Sequence, residues 1–211
     1  MAILIYGTWI PTGVTEKKTN RIVEVLLATV KPWQLLAGKI LGIGSLGILQ
    51  FGLTIAIAFG AVSLTRAFDI PEIPVEMLIN LVVWFVIGFM LYAVLFAAAG
   101  SLVSRMEDAQ TAAMPMSLIA VVGMFPSIAA LNDPDGGIAL VGTLIPFTGP
   151  FVVPVRASLE SLPAWQYLTA LVITIGTVVV LVDVAGRIYA GGLLRFGSKM
   201  KLREAWRSAA D

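Results

Sequence analysis

Long apolar runs separated by short polar connections dominate this chain. Four of them, Trp33–Leu64, Met77–Val103, Thr111–Leu131 and Trp165–Tyr189, carry few or no charges. As helices, each is long enough to cross a hydrocarbon layer of roughly 30 Å, which takes about 20 residues. A fifth run, Ala2–Val14, reaches only about 20 Å as a helix. It reads as the tail of a span whose beginning is missing. A cleaved signal peptide is the alternative, but no basic stretch opens the run and no small-residue cleavage site precedes Thr15. The pattern predicts an all-α fold: a polytopic transmembrane helical bundle of four full spans and one partial N-terminal span, in a single domain over 1–211.

The basic residues orient these spans. With Thr15–Pro32, Ser104–Gln110 and the tail after Tyr189 on the cytoplasmic side, the inner face holds Lys17, Lys18, Arg21, Lys31, Lys39, Arg105, Arg187, Arg195, Lys199, Lys201, Arg203 and Arg207. The outer face keeps Arg66 and Arg156 alone. Twelve against two, from the 14 Lys and Arg of the chain, is a strong positive-inside bias. The connection Thr65–Glu76, with Asp69, Glu72 and Glu76, falls outside.

Gly136–Val155 is also uncharged and of spanning length, but it contains Pro146, Pro150 and Pro154, with Gly142 and Gly149 among them. Closely spaced prolines remove helix donors and break a rod. A span there would also flip the rest of the chain and erase the charge bias. Residues 136–163 are therefore expected to form an outer re-entrant or interfacial hairpin. Its second arm is expected to be a short amphipathic helix, with Val155, Leu159 and Leu162 on one face and Arg156 and Glu160 on the other. In the span Thr111–Leu131, Pro115 and Pro126 are expected to break the helix.

The cytoplasmic stretch TEKKTNRIVEVLLATVKP has a different period. Ile22, Leu26 and Val30 recur every four residues with Val23 and Leu27 beside them, while Lys17, Lys18, Arg21 and Glu24 take much of the remaining surface. Thr15 is placed to cap the helix, Glu16 lies in its first turn, and Pro32 ends it. Such a helix either anchors a loop at the headgroups or docks a cytoplasmic partner. The residues alone leave both open.

Composition narrows the chemistry. Hydrophobic residues make up 58% of the chain and charged ones 13%, with a net charge of +1, which gives no footing for nucleic acid. Histidine and cysteine are both absent. The usual general base, the commonest metal ligand and thiolate chemistry go with them, so no catalytic, metal or cofactor site is expected. GIGSLG at Gly42–Gly47 matches G-x-G-x-x-G, but it lies inside an apolar helix with no strand before it. With Gly38, Ala56 and Gly60 it reads as surface for close helix packing. No P-loop motif is present, so ATP is not bound here in that way. Asp183 is the one acidic residue deep in a run. With Arg187 one turn on, it is expected to form an ion pair near the inner interface.

The stretch TEKKTNRIVEVLLATVKPWQLLAGKILGIG resembles the signature of type-2 ABC exporter permeases, especially the sodium-extruding Nat-type branch. Glu16, Arg21, Glu24, Leu26, Leu27, Gln34, Leu35, Leu36, Gly38 and Lys39 carry the match. LIPFTGPFVVPVR is similar to that family's outer helical hairpin, and RIYAGGLLRFG to its ending. The resemblance implies a plasma-membrane permease subunit of a prokaryotic ATP-driven exporter. It pairs the chain with a separate cytoplasmic ABC ATPase, which holds the ATP, and with a second permease chain in a homo- or heterodimer. The stretch 15–32 becomes the coupling helix, with Glu16, Lys17, Arg21, Glu24 and Leu27 at the ATPase interface. The family's first span and the extracellular region after it have no counterpart, so the chain is expected to be a fragment, a late-start product or a reduced half-transporter. A non-transporting membrane scaffold is the competing class.

Overall fold

A computed structural model describes residues 32–65, 74–103 and 106–193. The described residues form six helices: α1 (Pro32–Thr65), α2 (Val75–Ser101), α3 (Met106–Asn132), α4 (Gly137–Leu144), α5 (Gly149–Ser158) and α6 (Ala164–Leu193). Among the described residues, three stretches are long and apolar enough to cross a membrane: Val75–Gly100 in α2, Asp108–Asn132 in α3 and Ala164–Ala185 in α6. Helix α1 has 34 residues and a shorter apolar stretch at Gly44–Ile57. The expected partial span at Ala2–Val14 and the amphipathic stretch before Pro32 lie outside the described residues.

Helix α2 is the central post and packs against α1, α3, α5 and α6. Its buried face is rich in aromatic and small residues: Trp84, Phe89, Tyr92 and Phe96, with Ala93, Ala97 and Ala99. The neighbours meet it with alanines, Ala113 and Ala120 from α3 and Ala185 from α6. Lipid tails are as apolar as leucine, so hydrophobicity alone draws no two spans together; close packing through small side chains does. On the other side, α1 lies against α2 through a stacked Phe51–Phe85 pair with ring centres 4.2 Å apart. A Cβ at Gly44 of α1 would stand 2.9 Å from the ring of Phe89, so the glycine is what admits that ring.

The two prolines of α3 do not break it. Pro115 and Pro126 both sit within one continuous helix, Met106–Asn132, contrary to the sequence expectation. In a membrane bundle the carbonyls a proline leaves unbonded can be satisfied by local adjustment and by neighbouring helices, so the rod survives. Pro126 instead serves as a packing surface. A Cβ at Gly142 of α4 would fall 2.7 Å from the Pro126 Cβ, so the missing side chain lets α4 close onto the ring.

Candidate functional site

Helices α4 and α5, of 8 and 10 residues, are about 12 and 15 Å long, too short to cross a bilayer singly. They form a hairpin whose turn, residues 145–148, is inserted among the long helices. The Tyr92 hydroxyl of α2 donates to the Phe147 carbonyl at 2.8 Å. The same carbonyl would lie 2.9 Å from a Cβ at Gly123 of α3. Gly123 is nine residues from the end of α3, so the turn lies roughly 13 Å inside that end of the bundle. Within the turn, the Thr148 hydroxyl donates to the Gly142 carbonyl, closing the first arm onto the second. Gly149, buried beside the Trp84 ring and the Thr143 carbonyl, allows the close fit there.

The hairpin is fixed at its base by one side chain. Arg156 is fully buried. Its Nη1 donates to the Thr143 hydroxyl at 3.0 Å and to Oε1 of Gln166 at 2.7 Å. Its Nη2 donates to the Ser161 carbonyl at 3.1 Å and to Asp135 at 3.3 Å, the latter an ion pair. Thr143 can accept because its own hydroxyl proton goes to the Ala139 carbonyl at 2.7 Å. One guanidinium thus joins the α3–α4 connection, α4, α5, the α5–α6 connection and the first turn of α6. Only Nε is left without a partner. Charge balance comes from Asp135, whose side chain is 76% exposed and so keeps its hydration while pairing. Such a planar fork with several fixed donors suits arginine and could not be supplied by lysine.

This placement corrects the expectation that Arg156 lies on the exposed polar face of an amphipathic helix. The polar side of α5 turns inward onto Thr143, Gln166 and Asp135, while Leu159, expected on the apolar face, is 43% exposed. Glu160 is exposed, as the helical pattern suggested. It follows α5 in a left-handed backbone conformation, with φ of 55°. The turn is tied by Ser161 N–H to the Arg156 carbonyl at 3.2 Å and by Glu160 N–H to the Ala157 carbonyl at 3.2 Å. Glycine is the usual residue at such a helix end.

Of the residues singled out in the sequence, Glu16, Lys17, Arg21, Glu24 and Leu27 lie outside the described residues. Asp183 is exposed on α6; Arg187 is on the same helix one turn later, but its side chain is outside the described residues. Arg156 was the residue whose role the pattern missed. Its signal was the local supply of uncharged polar partners, Thr143, Ser161 and Gln166, around the single basic residue of an otherwise apolar segment. Among the described residues no group of three or more Asp, Glu, His or Cys is placed to hold a metal ion. The arrangement orders and positions a hairpin.

The model of the ABC-2 family transporter protein matches residues 1–185. Among curated proteins, the uncharacterized protein YhaP of Bacillus subtilis (strain 168) is 34% identical over 209 residues, covering 93% of this chain and 49% of the relative. The uncharacterized protein MJ1024 of Methanocaldococcus jannaschii is 28% identical over 203 residues, covering 96% of this chain and 49% of the relative. The chain therefore spans about half the length of the curated relatives it matches. No solved structure matches it. With long apolar helices packed around a central post and a family match over most of its length, this chain belongs to the ABC-2 family of transporter membrane proteins.

Proposed function

We propose that this chain is the permease part of an ATP-driven exporter, forming the pathway while ATP is bound and hydrolysed on a separate cytoplasmic ATPase. The family match over residues 1–185 carries this reading. The absence of a P-loop supports the division of labour. The amphipathic stretch 15–32 is the coupling helix, and its Glu16, Lys17, Arg21, Glu24 and Leu27 meet the ATPase. Closure of that partner pushes on the helix and tilts the spans between two packings, as alternating access requires. A second permease chain completes the pathway, because the spans of one chain enclose little by themselves. The twelve-to-two basic asymmetry supports an orientation with the α4–α5 hairpin on the outer face of the plasma membrane. On that placement α1 is a further span, and α4–α5 enter the bilayer from outside and return.

The Nat-type motifs support the exporter branch without naming a substrate. The test is a pull-down in mild detergent with membrane levels quantified alongside. A P-loop ATPase is expected to travel with the chain, and Glu24→Lys is expected to lower its recovery while leaving insertion and abundance near wild type. Removing a paired interface charge costs several kcal/mol, on the order of a tenfold or larger loss. A helix resting only on lipid headgroups gives the opposite sign, since Glu24→Lys would then leave membrane association unchanged or strengthen it. Recovery of the chain with no ATPase would return it to the class of non-transporting scaffolds.

A further inference from the structure

A hollow of about 400 Å³ lies beside the base of the hairpin, lined by Ala157, Glu160, Leu162, Ala164, Tyr167 and Leu168. It is built from the end of α5, the connection after it and the first turns of α6. The stretch of α6 that is long and apolar enough to cross a membrane begins at Ala164, so on the placement proposed above the hollow lies near the bilayer boundary. Its lining is mostly apolar, with two exceptions of particular chemistry, the Glu160 carboxylate and the Tyr167 ring. Among the described residues no basic side chain pairs with Glu160; the one ion pair nearby joins Arg156 to Asp135.

We propose that this hollow binds an alkylammonium group: a positively charged amine or quaternary nitrogen carried on an apolar chain. A carboxylate supplies the countercharge, an aromatic ring attracts a cation over its face, and the leucines and alanines accept the first methylenes of the tail. An anionic headgroup would meet Glu160 with like charge. The backbone adds a separate argument. Glu160 holds φ at 55°, where a residue with a side chain is disfavoured and glycine is the ordinary choice. A left-handed residue is common at a helix end, so what the backbone adds is that a side chain is kept where glycine would be easier. Here Glu160 N–H is bonded to the Ala157 carbonyl, and Ser161 after it is held twice, by its N–H to the Arg156 carbonyl and by the Arg156 guanidinium to its own carbonyl. Arg156 is thereby a positioning residue for the hollow. Its own charge is already engaged by Asp135 and by three neutral oxygens.

The cation has two sources, the headgroup of an amine-bearing lipid or a free amphiphilic amine, and the experiment separates them. The full chain in nanodiscs is exposed to three photoreactive probes: a phosphatidylethanolamine, a single-chain alkyltrimethylammonium and a phosphatidylglycerol, each with the reactive group near the headgroup. Labelled peptides are mapped by mass spectrometry. Labelling within Ala157–Leu168 is expected from an ammonium probe and not from phosphatidylglycerol. Labelling by phosphatidylethanolamine alone assigns the hollow to lipid, and labelling by the single-chain probe assigns it to a free amine. Glu160→Gln is expected to reduce that labelling about tenfold. Glu160→Gly relieves the backbone while removing the carboxylate, so it folds at least as well and is expected to lose labelling to the same extent. Equal labelling by the anionic probe, or ammonium labelling unchanged in both variants, overturns the proposal. The outcome is independent of ATPase recovery, so this inference and the exporter reading stand or fall separately.

Discussion

Helices α2 and α6 are both long and strongly apolar, yet the chain treats them differently. Half of the apolar window of α2 is buried within the protein, against 17% of that of α6. On α6, Leu168, Val172, Val179 and Val180 face outward. On α2, the buried side holds Trp84, Tyr92 and Phe96 among alanines. In water an apolar side chain reports burial, because exposure is penalised. In a bilayer the penalty vanishes, and apolarity reports only that a segment lies at membrane depth. What distinguishes a post from a perimeter helix is shape: large rings beside small residues that let neighbours approach.

That contrast is most exposed to failure at two tryptophans. Trp84 is fully buried and Trp165 is 63% exposed. Trp84→Ala is expected to cost about 3–5 kcal/mol, as for large core residues. Its Nε1 makes no hydrogen bond, so the loss is one of packing alone. Trp165→Ala is expected to cost under about 1 kcal/mol. Thermal unfolding in detergent reads both, and equal shifts would break the distinction between post and perimeter.

The next effect in size belongs to the hairpin base. Arg156→Ala strands Gln166, Thr143 and the Ser161 carbonyl, and is expected to cost about 3 kcal/mol. Asp135→Asn leaves the buried guanidinium without its countercharge but keeps an acceptor oxygen at an exposed position, and is expected to cost about 1–2 kcal/mol, less than Arg156→Ala. A larger loss from Asp135 than from Arg156 would mean that charge, rather than the bonding fork, holds the hairpin. Unfolding by denaturant with the hairpin probed by proteolysis distinguishes the two.

The smallest pair concerns glycines. Gly142→Ala would drive a methyl group into the Pro126 ring, and is expected to cost about 1–3 kcal/mol. At Gly176 of α6 an added Cβ meets nothing within 4 Å. Gly176→Ala is expected to be neutral or to stabilise by up to about 1 kcal/mol, from helix propensity. A destabilising Gly176→Ala, read by the same thermal unfolding, would show that this face of α6 is covered after all.

Much of the architecture was legible from hydropathy, because membrane depth is written directly in the length of apolar runs. The positions of α2, α3 and α6 followed from that signal within a few residues. The prolines of residues 136–163 likewise marked a segment that forms no single long helix, since the missing donors are a local property. What was not legible was which face of each helix turned inward. The amphipathic reading of α5 assumed that polar means outward, a rule for water. At the base of this hairpin the partners that satisfy a guanidinium lie on the inside, so the polar face folded in and Arg156 went with it. The prolines of α3 misled for a related reason: their effect on a helix depends on which neighbours are at hand to satisfy the freed carbonyls, and no local pattern records that.

The bonds of Arg156 also impose an order on assembly. Its partners lie 21 and 13 residues behind it, at Asp135 and Thr143, and 10 residues ahead, at Gln166. As the chain emerges from synthesis, the arginine meets its countercharge and its hydroxyl before the first turn of α6 exists. The set is complete only once Ser161 and the first turn of α6 are also in place. The corner at the hairpin base is therefore complete only with the helix that follows the hairpin in the chain, whose first turn supplies Gln166.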